Sequence, residues 1–155
     1  MIRLAQYQPE IPQNTGTLLR AVSCLGVELD IIDPCGFGLS DARLKRAGMD
    51  YIDITHYTRH VSWEVFQEGA QEQGRRLIYL TPHSDLSYTD FEFSSQDTVI
   101  LGRESDGIPP NISAEIPHHL TIPMVEGMRS LNVALAGAMV LGEALRQLKH
   151  TQGTL

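Results

Sequence analysis

The run Thr98-Val99-Ile100-Leu101-Gly102-Arg103-Glu104-Ser105-Asp106-Gly107-Ile108-Pro109 decides the kind of fold available to this chain. Residues 98–102 read as a strongly apolar strand. Gly102, at the strand end, permits a close contact with a ligand. Gly107 and Pro109 force a turn, which holds Glu104 as a carboxylate at the strand mouth. Taken alone, the segment is equally an ordinary surface turn. A phosphate-binding P-loop does not fit, because no Gly-Lys-Ser/Thr ending follows.

Further strands lie on both sides. Residues 2–7 alternate with period two, and 29–33 form an apolar run closed by Pro34. Residues 77–81 are strongly apolar and meet Pro82, residues 119–123 make a shorter strand, and 51–54 a weak one. Helical spacing fills the gaps. Asn14 to Leu25 carries Leu18, Val22 and Leu25, with Gly26 as its stop. Asp41 caps a short helix containing Leu44 and Ala47 and ended by Gly48. Ser62 precedes a helix over 63–73, stopped by Gly74. The last helix spans Ser130 to about Leu148, with Leu131, Leu135, Ala138, Leu141, Leu145 and Leu148 on one face. Strands alternating with helices predict an α/β domain with a largely parallel sheet flanked by helices.

The chain has 155 residues, 42% hydrophobic and 20% charged, with no low-complexity tract, which suits one globular domain over 1–150 and a frayed tail over 151–155. No apolar run is long enough to span a bilayer, so no membrane partner is expected. No apolar signal core follows Met1, and the expected location is the cytoplasm, with Cys24 and Cys35 reduced. Net charge is −7, which argues against a general nucleic-acid binder but leaves room for arginines concentrated at one site.

In open α/β sheets, ligands sit beyond the carboxyl ends of the strands. Three apolar strands end in loops of unusual composition: Thr81-Pro82-His83, Gly102 to Gly107, and Pro123-Met124 through Arg129. Pattern alone stops there, at a nucleotide-sized ligand site. No Gly-x-Gly-x-x-Gly follows the first strand, which weakens a dinucleotide reading. In Pro9 to Arg20, Asn14 caps the helix and Gly16 admits a close neighbour at its first turn. By itself this is a capped helix with a solvated arginine. Ser130 is a good N-cap residue for the last helix, with Asn132 inside the first turn. By itself this is simply a capped C-terminal helix. His56 and His60 are four apart and face one way on a helix, but no third ligand accompanies them and no metal is expected.

Three segments, in this order, resemble the three motifs of the SPOUT superfamily of RNA methyltransferases. Asn14-x-Gly16-x-x-x-Arg20 is similar to the first, Gly102-x-Glu104-x-x-Gly107 to the second, and Ile122-Pro123-Met124 with Ser130-x-Asn132 before a helix to the third. Pro9-Glu10-Ile11-Pro12-x-Asn14-x-Gly16, Arg46 to Tyr51 and Glu143 to Gln147 resemble the short tRNA wobble-nucleotide 2'-O-methyltransferases in particular. The match covers nearly the whole chain. It departs from the family at Arg103, usually a proline there, and at Ala134 and Leu135, where a serine and an asparagine often continue the third motif.

The resemblance implies a deep C-terminal trefoil knot, which sequence physics would not propose because knots are very rare. It implies S-adenosyl-L-methionine as cofactor, contacted by Leu80, Gly102, Ile122, Met124 and Ser130, and a ribose 2'-hydroxyl at the first anticodon position, on cytidine or uridine, as nucleophile. It assigns Arg20 to the chemical step, with Asn14, Glu104, Ser130 and Asn132 holding the target nucleotide and the loops. An arginine is very hard to deprotonate, so Arg20 stabilises the developing alkoxide or fixes the adjacent phosphate. The expected partners are the tRNA anticodon loop and a second copy of the chain. In the dimer, Arg20 approaches the other copy's cofactor, and Arg43, Lys45, Arg46 and Arg59 share a basic patch. A ribosomal RNA methyltransferase and a non-catalytic knotted RNA-binding protein are the alternatives.

Overall fold

The computed structural model describes residues 1–38 and 57–152, with side chains through 149. The expected helix at Asp41, the strand at 51–54, His56 and the basic residues Arg43, Lys45 and Arg46 lie outside the described residues.

The elements run β1 (Arg3–Tyr7), α1 (Pro12–Leu25), β2 (Glu28–Ile32), β3 (Tyr57–His60), α2 (Trp63–Glu72), β4 (Arg76–Leu80), a 3-10 turn (Tyr88–Asp90), β5 (Asp97–Leu101), α3 (Pro110–Ser113), β6 (His118–Leu120) and α4 (Val133–Gln152). The strands form one sheet in the order β3-β2-β1-β5-β4-β6. Every pair in it is parallel. A parallel sheet needs cover on both faces, and it has it. On one face Leu4, Leu29, Ile31, Val99 and Leu101 pack with Leu18, Leu19 and Val22 of α1 and with Ala134, Val140, Leu141 and Ala144 of α4. On the other, Ala5, Tyr7, Ile32, Tyr79 and Ile100 pack with Trp63, Phe66 and Ala70 of α2. Gly137 lets α4 sit close: a Cβ there would lie 2.8 Å from Leu101 Cδ1 and 3.1 Å from Leu18 Cδ2.

Several expectations change in detail. His60 belongs to the edge strand β3, not to a helix. Its Nε2 lies 2.8 Å from Oδ1 of the buried Asp30, which also accepts two N–H bonds from Arg3. The sequence is polar there, so no apolar pattern marked the strand. The buried face of α4 is Ala134, Gly137, Val140, Leu141 and Ala144, whereas Leu131 and Leu135, expected inside, are 40% and 59% exposed. Ala134, Gly137 and Ala144 fit the close approach to the sheet, while Leu135 and Met139 turn outward. α2 behaves as its sequence says: Ser62 caps it, accepting from Val65 N at 3.3 Å. No helix among the described residues is long and apolar enough to cross a membrane.

Candidate active site

The chain reverses its strand order between β1 and β5, and a cavity of about 780 Å³ opens at the carboxyl ends of β4, β5 and β6. Its walls are the loops after those strands and the entrances of α1 and α4. Ligand sites for small organic molecules span roughly 300–1,000 Å³. Leu80, Leu101, Ile122, Met124 and Val133 supply aliphatic surface, and Asn14, Glu104, Ser130 and Asn132 supply polar groups. All of the residues expected to touch a cofactor, Leu80, Gly102, Ile122, Met124 and Ser130, line this space.

The loop after β5 doubles back on itself. Arg103 and Gly107 exchange both backbone hydrogen bonds, and Gly107 adopts φ +69°, a conformation that favours glycine. A Cβ on Gly102 would lie 2.7 Å from Gly107 Cα. The space that Gly102 leaves is therefore taken by the turn's own backbone. The turn is pinned from below by Tyr79, whose hydroxyl accepts from Ile108 N at 3.1 Å. Arg103 spans it: its guanidinium reaches Asp106 at 2.8 Å and Gly107 O at 3.2 Å and lies 5.7 Å from the Tyr7 ring centroid.

Glu104 faces the start of α1. Its carboxylate accepts from Glu10 N (2.9 Å), Ile11 N (3.2 Å) and Asn14 Nδ2 (3.3 Å). The clasp is reciprocal, because Glu10 accepts from Ser105 N (3.0 Å) and Ser105 Oγ (2.8 Å). Negative charge at a helix N-terminus is favourable, and α1 has no side-chain cap of its own. Asn14 is not that cap. It lies inside the helix, is buried, and hands the connection on: its Oδ1 accepts from Asn132 Nδ2 at 2.9 Å. Asn132 Oδ1 in turn accepts from Ala134 N (2.9 Å) and Leu135 N (3.2 Å). The cap of α4 is thus Asn132. Ser130, expected in that role, stands two residues before this cap and is exposed.

The relay fixes both amides. Backbone N–H groups demand the Asn132 oxygen, so its NH2 turns to Asn14. Asn14 then presents its oxygen there and its NH2 to the carboxylate. Asn14, Glu104 and Asn132, from three distant parts of the chain, form one hydrogen-bonded unit in the cavity wall. Sequence reasoning named all three but missed Glu10 and Ser105, whose signal was only a carboxylate and a hydroxyl beside motif residues.

Arg20 stands apart. It is exposed on α1 and lines no part of the cavity. Arg59 pairs with Asp33, and that pairing holds the Asp33 carboxyl below the usual carboxylate range. Cys24 and Cys35 are free thiols, and burial pushes Cys35 up to about 12. Among the described residues no cluster of three His, Cys, Asp or Glu side chains is placed to hold a metal.

Residues 1–142 match the model of the SpoU rRNA Methylase family. A tRNA (cytidine(34)-2'-O)-methyltransferase of Ancylobacter novellus is 51% identical over 146 residues, covering 94% of this chain and 92% of that protein. A solved structure described as giving insight into 2-OH methylation of C/U34 on tRNA is 39% identical, with TM-score 0.91 and 97% of both chains covered. The SpoU methyltransferase AviRb from Streptomyces viridochromogenes, solved in complex with AdoMet, shares the fold at TM-score 0.87 and 22% identity, over 97% of this chain and 61% of that one.

Proposed function

The chain belongs to the SpoU rRNA Methylase family, and from that premise we propose that it transfers a methyl group from S-adenosyl-L-methionine to the ribose 2'-hydroxyl of the first anticodon nucleotide of tRNA, on cytidine or uridine. The observation that carries this reading is the relay Glu104–Asn14–Asn132, which joins the three loop regions around one ligand-sized cavity. Relatives with tRNA cytidine(34) names at up to 52% identity over nearly full length support the substrate.

The cavity fits the cofactor by its chemistry: aliphatic walls suit a purine ring, and polar side chains at the rim suit ribose hydroxyls and an amino-acid end. Leu80, Ile122 and Met124 would hold the ring, and Gly102 and Ser130 would offer it backbone groups. When bound, the cofactor supplies an electrophilic methyl carbon on a sulfonium. The protein's own task is alignment and removal of the hydroxyl proton. Glu104 and both asparagines spend their hydrogen-bonding capacity on one another and on backbone, so they position the loops. Arg20 serves as a cation, fixing the phosphate next to the target or stabilising the alkoxide as it forms.

The working unit in this reading is a dimer, in the cytoplasm. Leu131 just before α4, Leu135 and Met139 of α4 and Leu25 of α1 are 40–59% exposed, an apolar surface that a second copy would cover. Arg20 on the same helix pair would then reach the neighbour's cavity. The C-terminal trefoil knot belongs to the same reading. Residues 91–93 are tied to α4 by Gln147, which accepts from Phe93 N at 2.9 Å and donates to Phe91 O at 3.1 Å.

Mass spectrometry of tRNA from cells with and without the gene tests the function. Loss of a ribose methyl at the first anticodon nucleotide in the deleted strain is the expected result, and an unchanged modification profile there would refute the proposal.

A further inference from the structure

A proton must leave the 2'-hydroxyl, and an arginine is a poor acceptor for it. The titratable side chains lining the cavity are Tyr79, His83, Arg103, Glu104, Asp106 and Arg129. The arginines are cations. Glu104 is committed to three N–H donors. Asp106 is held by Arg103 and by the Ser105 hydroxyl. Tyr79 is buried, with its hydroxyl bound by Ile108 N.

His83 differs from all of these. It lies three residues past the end of β4, and its ring is exposed. Its backbone N–H donates to Thr81 Oγ1 at 3.3 Å, which fixes the turn. Its ring has no hydrogen-bond or ion-pair partner among the described residues. Histidine is also the side chain that exchanges protons in the neutral range.

We propose that His83 is the proton acceptor of the reaction: among the described residues it is the one base lining the cavity whose side chain has no partner, and it sits in the turn that follows β4. This rests on the reading of the cavity as a 2'-O-methylation site. The ribose O–H bond breaks and its proton passes to a ring nitrogen of His83. The oxygen's electron pair forms the new O–C bond, and the S–C bond electrons return to sulfur as a neutral thioether. The imidazolium then releases its proton to solvent. Arg20 and His83 divide the work, one holding negative charge and the other taking the proton.

The test is His83→Gln, which keeps a polar side chain at an exposed position and removes the base. A single-turnover rate about 100-fold lower is expected, within the range that general bases contribute, with unchanged calorimetric affinity for S-adenosylmethionine. A base must be neutral to act, so the wild-type rate falls on acidification. His83→Gln loses that dependence. A second readout needs no turnover. With S-adenosylhomocysteine bound, the His83 ring resonance, assigned by its loss in the variant, shifts when an anticodon stem-loop is added and does not shift with the same RNA carrying a 2'-deoxy target. A variant that turns over at the wild-type rate, or a ring signal indifferent to the 2'-hydroxyl, overturns the proposal. If the wild type methylates no tRNA, the reading of the function itself falls, and the role of His83 with it.

Discussion

Helix α2 and the pair α1 and α4 begin in opposite ways. α2 is capped by the residue next to it, Ser62. α1 is capped by a carboxylate from beyond β5, and α4 by an asparagine whose amide also reaches α1. The first arrangement stabilises one helix and nothing else. The second makes two helix entrances and one loop interdependent, and those are the pieces that wall the cavity. A cap that serves one helix alone therefore marks scaffold here, and a cap whose side chain also bonds a distant segment marks the site.

Removing Glu104 should cost the most. Glu104→Ala leaves Glu10 N, Ile11 N and Asn14 without their acceptor, a loss of about 3 kcal/mol at roughly 1 kcal/mol per bond, read by chemical denaturation. Binding of S-adenosylmethionine should weaken in parallel, because the cavity wall loses its brace. Asn132→Ala comes next, at about 2 kcal/mol, from one cap and one side-chain bond. Asn132→Asp sharpens the contrast: it keeps the cap for Ala134 and Leu135 but places an acceptor against the Asn14 oxygen. Stability should suffer less than in the alanine variant, while cofactor affinity falls with the broken relay. Ser62→Ala has the smallest effect, about 1 kcal/mol, with binding and methyl transfer unchanged. Equal losses of affinity in the Glu104 and Ser62 variants would erase the distinction between the two kinds of cap.

The same contrast explains what could be read from the sequence. Among the described residues, five of the six strands and all three long helices followed from apolar runs, periodicity and breakers, since those signals are local. Ser62 was legible for the same reason. Asn14 looked like a cap because asparagine usually is one near a helix start, yet its partners lie 90 and 118 residues away. Ser130 looked like the cap of α4, but Asn132 offered the better acceptor two residues later and also a donor for Asn14. Strand β3 escaped notice because Arg59 and His60 are held by Asp33 and Asp30 rather than by apolar packing. His83 stood in a loop already marked for its position. Only the hydrogen-bond inventory of the cavity singled it out, by showing its neighbours occupied.

Methyl transfer by the purified protein to two anticodon stem-loops tests the central claim most directly. One RNA carries the natural ribose at the first anticodon position and the other a 2'-deoxyribose there, both with labelled S-adenosylmethionine. Label on the first RNA alone is the predicted result. Label on both, or on neither, would contradict it.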